Sequence, residues 1–353
     1  MSLLRVPDPG KEPATFIARA LHDRLPDLIS GAGTLYVWSP GAIRALKKSG
    51  RAFDWVDGCA RIPLLAGEVP SCTAELIDEL SPDTRALFIS GKGEPRLGDF
   101  ARMTTLHALD VLAQAGWLLD QIAESRFTSW FHPIVHTDTR RIFAHEALLR
   151  GVERDGSVVA PQPILALARE AGLLFEVDSA ACRSAIREAA RQGPGMCVFI
   201  NFSPAAILDP EASLKATMQE IDAAKLPHDR VVFEVVEADR FGDSPHLEKV
   251  LAGYRSAGFR VALDDLGAGW STLNLVHRLR PDFIKLDREL MRGVHRDPVK
   301  SLIADKLLEI GRGMGIGTIV EGIEEEDELS WCRDHGADFV QGFLLGKPAP
   351  VAA

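Results

Sequence analysis

From residue 126 onward, short apolar runs alternate with longer stretches in which apolar side chains recur every third or fourth position. The short runs are VFINFSP (198–204), VVFEVVE (231–237), RVALDD (260–265), DFIKLD (282–287), GTIVEG (317–322) and DFVQG (338–342), and each fits a strand buried on both faces. Between them, residues 165–193, Pro210 to Ala224, 246–258, 271–280, 301–315 and 328–336 carry helical spacing. Strand and helix taking turns this often predict an α/β fold, a TIM-like (β/α)8 barrel. Ahead of these units, Phe131 to His136 and Ile142 to Leu148 flank the short TDTRR and predict an antiparallel hairpin. One barrel strand should therefore run against the others.

Residues 1–100 lack this rhythm and read as a small α/β module. Phe16 to Leu28 has helical spacing, while Thr34 to Trp38 and Ala86 to Ile89 read as short strands. From Asp99, the positions Phe100, Met103, Leu106, Leu109, Leu112, Leu118 and Ile122 predict a linker helix over 101–125, leading into a barrel at 126–353. That helix is read as a packed linker, with a dimerising signal helix as the alternative. Residues 1–100 hold no constellation of reactive side chains, so a regulatory role is expected there. GKGEP (Gly91 to Pro95) opens no convincing helix, and GRGMGIG (Gly311 to Gly317) follows a helix and precedes a strand. A dinucleotide loop needs strand, glycines, then helix, so neither run is read as a phosphate cradle.

The chemistry gathers at the ends of the strands. Val261-Ala262-Leu263 runs into adjacent carboxylates, Asp264 and Asp265. Two such neighbours repel and lose hydration unless a cation or protons neutralise them, and hard oxygen ligands suit magnesium or manganese. A solvated turn with capping duty is the plain alternative for an isolated pair. The other strand ends carry Glu146, Asn201, Glu234 with Glu237, Lys285 with Asp287, Glu321 with Glu324, and Gln341. In a barrel these carboxyl ends converge on one face. Glu146, Asn201, Glu234, Asp264, Asp265 and Glu321 offer more oxygen ligands than one octahedral magnesium needs, which fits two metals bridged by one aspartate.

Size and charge narrow the field. The 353 residues suffice for one barrel of roughly 250 residues and a smaller module. Hydrophobic residues at 46% and charged residues at 25% argue against disorder and a membrane class, and a formal charge of −10 argues against a nucleic acid polymer as partner. Five scattered cysteines without CxxC spacing read as reduced thiols. The N-terminus shows no signal peptide and no run approaches a membrane span, so a cytoplasmic location is expected.

HEALLRG, INFSP, FEVVE, ALDDLGAGWSTL, FIKLD, VEGIE and QGFLLGKP, in this order over about Phe131 to Pro348, closely resemble the EAL domain of bacterial cyclic-di-GMP phosphodiesterases. The resemblance implies hydrolysis of cyclic-di-GMP to linear pGpG, in second-messenger signalling, on a TIM-like barrel with two Mg2+ or Mn2+ ions per site and inhibition by Ca2+. It implies that Glu146, Asn201, Glu234 and Asp264 hold one metal, and Asp264, Asp265 and Glu321 the other, with Asp264 bridging. Lys285 would contact the attacking water or a phosphoryl oxygen, Gln341 would help position water, and Glu237 would hold the DDLGAGWS loop. Arg150 would meet a phosphate or a guanine, with Leu149, Ser203, Asp287 and His132 as further substrate contacts. A homodimer through the barrel loop or the linker helix is a further expectation.

The chain departs from the family pattern at Leu266, Ala268 and Trp270 in the loop, at His132 where Gln is usual, and in VEGIE for AEGVE. None of these changes removes an implied metal ligand. The rival from another class is a cyclic-di-GMP receptor that binds without hydrolysis. Family members of that kind usually lack a ligand or the lysine, and this chain keeps them all.

Overall fold

Successive residues of a strand face opposite sides, so alternation decides which side chains meet. The computed structural model describes residues 31–91, 94–193, 195–204, 207, 209–235, 245–266 and 272–350. The expected helix Phe16 to Leu28, Glu237 and loop residues 267–271 lie outside these. The chain divides into two compact units, one holding the described residues up to Ser125 with Gln162–Leu174, the other Arg126–Pro161 with the rest. Residues 162–174 thus group with the first unit although they fall within 126–353.

The first unit contains β1 (Gly33–Val37), β2 (Asp54–Val56), β3 (Cys59–Leu64), β4 (Arg85–Ser90) and β5 (Thr104–Thr105), ordered β2-β3-β1-β4-β5. Leu35, Val37, Ile62 and Leu64 are buried, and Thr73 Oγ1 donates to Asp110 at 2.7 Å, tying helix Val69–Ile77 to helix Leu106–Ala123. The helix expected from Asp99 starts only at Leu106. Residues Leu97–Arg102 form a 3-10 turn, and Thr104 and Thr105 pair with Ala86 and Arg85 as strand. Threonine is β-branched and suits a strand, and the Thr105 hydroxyl then caps the helix by accepting from Ala108 N at 3.1 Å.

In the second unit, eight strands close a barrel: β6 (Phe127–His136), β7 (Ile142–Val152), β9 (Val198–Phe202), β10 (Val231–Val235), β11 (Arg260–Leu266), β12 (Phe283–Leu286), β13 (Gly317–Val320) and β14 (Phe339–Gln341). Short strands β8 (Val158–Val159) and β15 (Ala349–Pro350) extend β7 and β6. From β7 to β14 neighbours are parallel, while β6 is antiparallel to both β7 and β14. That is the reversed strand which the hairpin TDTRR predicts. The segment 165–193 is two helices, Pro161–Ala171 and Leu174–Gln192, because Gly172 turns at φ +69° between them. Helix Pro298–Met314 ends on Gly315 at φ +69°, so of the GRGMGIG glycines Gly315 terminates the helix, while Gly311 and Gly313 lie within it and Gly317 opens β13. No helix among the described residues is long and apolar enough to cross a membrane.

Candidate active site

An apolar layer fills the barrel interior: Ile134, Ala144, Phe199, Val232, Ala262, Phe283 and Ile319 pack together with Phe339. Each comes from a different barrel strand. Two residues further toward the carboxyl end of each parallel strand, on the same face, stand Glu146, Asn201, Glu234, Asp264, Lys285, Glu321 and Gln341. On the reversed β6 the equivalent step runs backward from Ile134 to His132, which sits opposite Glu146 in register. The floor of the cup is therefore aromatic and aliphatic, and the layer above it is polar.

Asp265 belongs to this polar layer for a different reason. In a regular strand it would face away from Asp264, toward the surrounding helices. The β11–β12 register shifts between Leu263 and Leu266, and Asp265 takes a left-handed conformation at φ +57°. Aspartate tolerates that region better than most residues, and a bulge re-aims a side chain. Asp265 N donates to Asp264 Oδ1 at 2.9 Å, and carboxylate oxygens of Asp264, Asp265 and Glu321 lie within 4.8 Å of one another.

Lys285, 1% exposed, occupies the middle of the layer. Its ammonium contacts Glu234 at short range, lies 2.5 Å from Glu321 Oε1, 3.5 Å from Glu146 Oε2 and 3.6 Å from Asp264 Oδ1. Burial works against its charge, but the four surrounding carboxylates overcome that and raise its pKa well above the ordinary lysine value. Burial alone would raise Glu146, yet Lys285 and the amides of Gln341 (2.8 Å) and Asn201 (3.2 Å) hold it below the usual range. Glu234 is raised well above that range, chiefly by burial. Glu321 is pushed up to about 8, again by burial first, with Asp264 and Glu146 adding repulsion against the pull of Lys285. Burial lowers His132.

Five carboxylates thus face one ammonium, an excess of negative charge that suits divalent cations. Two groups have oxygens within 4.8 Å of one another, Glu146 with Glu234 and Glu321, and Asp264 with Asp265 and Glu321. Glu321 is common to both. Glu234 Oε2 and Gln341 Oε1 are buried without a hydrogen-bond partner, so the layer also holds uncommitted acceptors. These donors fit hard metal ions.

The EAL domain family model matches residues 115–348, most of the chain. The chain belongs to the EAL domain family. Its EAL region is 26% identical over 231 residues to an Escherichia coli protein named "Probable cyclic di-GMP phosphodiesterase PdeG", covering 64% of this chain and 45% of that protein. It is 28% identical over 215 residues to E. coli "Cyclic di-GMP phosphodiesterase PdeR", covering 59% and 32%. The chain spans less than half the length of these relatives. A crystal structure of a standalone versatile EAL protein from Vibrio cholerae, in its c-di-GMP bound form, shares 32% identity and a TM-score of 0.58 over 63% of this chain and 92% of that one.

The other expected residues stand on segments of the same unit, with local partners of their own. Arg150 Nη1 donates to the Leu149 carbonyl at 2.7 Å, its guanidinium stacks over Trp130 at 4.9 Å, and burial lowers its pKa. Leu149 is half-buried and Ser203 buried. Asp287 caps the short helix Arg288–Met291, accepting from Glu289 N, and Glu324 pairs with Arg288 at 2.7 Å.

Sequence reasoning missed two supports. Glu328 accepts from the backbone of Gly293, Glu324 and Glu325, which fixes the segment after Glu321. A Cβ on Gly342 would meet Ile323 backbone at 2.2 Å, so glycine is required beside Gln341. The ExxE spacing of Glu325 and Glu328 was the available signal for the first, as a capping pair.

Proposed function

We propose that this EAL domain is a cyclic-di-GMP phosphodiesterase that hydrolyses its substrate to linear pGpG. The observation that carries the reading is the uninterrupted polar layer, in which five carboxylates, Asn201, Gln341 and the buried Lys285 meet over one apolar floor. Glu146, Asn201, Glu234, Asp264, Asp265 and Glu321 would hold two Mg2+ or Mn2+ ions. Bound there, the ions supply the charge that polarises a phosphodiester and acidifies an attacking water.

The chain's own groups do the remainder. Lys285 keeps a compact positive charge beside the ligands, where a phosphorane-like transition state concentrates negative charge. Gln341 offers an unpaired acceptor oxygen that can orient a water proton. Arg150 keeps guanidinium donors beyond the one given to Leu149 for a phosphate or a guanine edge. His132 presents an unpartnered buried Nε2 beside Phe343, whose ring lies 6.0 Å away, as a substrate contact. Leu149, Ser203 and Asp287 complete the proposed substrate surround, and Glu237 is proposed to steady the loop after Asp265.

The first unit carries none of these residues, and we assign it a regulatory role. The test of the whole reading is chromatography of products from purified protein with cyclic-di-GMP. Linear pGpG should form with magnesium or manganese, cease in chelator and be suppressed by calcium, whose looser coordination suits a compact two-ion site poorly. Binding without turnover under these conditions would make the protein a receptor, and full turnover after metal stripping would overturn the metal assignment.

A further inference from the structure

Above the polar layer the wall of the cup continues along β6 and β7. Trp130 stands two residues beyond His132 on the reversed strand, and Leu148 and Arg150 stand two and four residues beyond Glu146, all on the inward face by the period of a strand. In register Trp130 lies opposite Leu148 and diagonal to Arg150, near enough for long side chains to meet. They do meet. The guanidinium carbon of Arg150 sits 4.9 Å from the centre of the Trp130 ring.

This stack restrains a group that would otherwise be loose. Arginine carries a large rotamer entropy, and Arg150 pairs with no carboxylate among the described residues. Its Nη1 donates to the Leu149 carbonyl at 2.7 Å, which holds one edge of the guanidinium but leaves its plane free to tilt. The indole supplies the second restraint, because a cation over an aromatic face is drawn to the ring. Held by one edge and one face, the flat group keeps its remaining N–H donors in a single plane, as recognition of a phosphate or a base edge requires. Trp130 is well anchored for the task. Its backbone is in register with Leu148 on one side and with Pro350 of β15 on the other.

Arg150 is four residues of strand away from Glu146, or about 13 Å. It therefore serves the part of a bound dinucleotide that lies away from the acids. We infer that Trp130 is a positioning residue, whose ring aims the Arg150 guanidinium at the half of the cyclic dinucleotide remote from the metal layer. The inference rests on the phosphodiesterase reading.

A double-mutant cycle on the full chain tests it, with Kd for cyclic-di-GMP measured in calcium, and KM and kcat in magnesium. Trp130→Leu should raise Kd and KM about 2- to 30-fold, the span of a cation–aromatic contact, and move kcat by less than about twofold. Trp130→Phe keeps a ring face and should recover most of the loss. Arg150→Ala should raise Kd at least as much as Trp130→Leu does. In that background Trp130→Leu should change Kd by less than about twofold, because no guanidinium is left to aim. Losses that multiply in the double variant would mean that Trp130 touches the ligand itself, and the inference would fall. Parental Kd and KM in Trp130→Leu, or a fall in kcat alone, would overturn it too. Should Trp130→Leu melt well below the parent, the cycle is read with Trp130→Phe, whose smaller loss should also vanish beside Arg150→Ala. A parent that binds cyclic-di-GMP without turnover overturns the phosphodiesterase reading and leaves the cycle to be read in Kd. A parent that does not bind it overturns both.

Discussion

Gln341 donates its side-chain amide to Glu146 Oε2 at 2.8 Å, although the two residues are 195 positions apart. They stand on β14 and β7, the two neighbours of the reversed strand β6. The bond therefore passes over the seam at which the barrel closes. It commits one oxygen of Glu146 to holding the last strand in place, and Asn201 reaches the other at 3.2 Å. Glu146 is consequently a paired acid, whose loss would leave the amides of Gln341 and Asn201 without their acceptor.

Changing Glu146 to Gln tests what the carboxylate does beyond bridging. A glutamine keeps the shape and some of the hydrogen bonding, so stability should move by no more than about 1 kcal/mol. Turnover should fall by roughly 100-fold or more, because an anionic oxygen is lost from the site. A variant that melts as the parent does and hydrolyses cyclic-di-GMP at the parent rate would remove Glu146 from the proposed chemistry.

Lys285→Met should be worse for the fold than for any single acid. It leaves Glu146, Glu234, Asp264 and Glu321 facing one another without their buried counter-charge. Breaking a buried ion cluster by removing one partner costs about 3–5 kcal/mol. Thermal melting of the metal-free variant should show that loss, with part of it recovered on adding magnesium. Equal melting temperatures for parent and variant without metal would mean that the acids are already neutral.

The acids themselves make a prediction about pH. Glu321 is raised to about 8 in the folded chain, so between the ordinary glutamate value and 8 the folded state binds more protons than the unfolded one. Stability of the metal-free protein from this group is therefore full below the ordinary value and declines as pH rises toward 8. Divalent ions need the ionised carboxylate, so their binding should release protons and strengthen as pH rises over the same window. Calorimetric titration of magnesium at pH 7 in buffers of different ionisation enthalpy measures the release. Identical heats in all buffers would contradict it.

Gly342→Ala probes the support beneath Gln341. The added methyl would press on Ile323 backbone nitrogen at 2.3 Å and oxygen at 2.2 Å, while Ile323 N also donates to the Gln341 carbonyl. Forced overpacking costs about 1–3 kcal/mol. The variant should melt at lower temperature and lose turnover beyond what its folded fraction explains, because Gln341 shifts with its neighbour.

The polar layer was legible because strands carry information at period two. Phe199 and Asn201, Phe283 and Lys285, Phe339 and Gln341 are each an apolar floor residue and a polar residue one repeat apart, so any reading that found the strands also found the cup. His132 completes the ring for the same reason, from the reversed strand. Asp265 was legible as a partner of Glu321 only through the family resemblance, since its direction depends on a bulge and a positive φ that no local pattern announces. The start of the helix at Leu106 was misplaced because Phe100 and Met103 continue the apolar spacing by coincidence, while pairing with β4 claims Thr104 and Thr105. What the spacing does not reveal is that the Lys285 ammonium pairs directly with four of those acids, since the sequence places them on one face without fixing the distances between them.

The lysine at the centre of the cup also bears on how such a protein is made. A site built only of acids would have to take up protons or ions before it could close. Lys285 comes with the chain as a resident cation, so the barrel can assemble first and be loaded afterward. Under the proposed function, loading would be an exchange of partners around an existing charge, and a protein starved of metal would keep its shape.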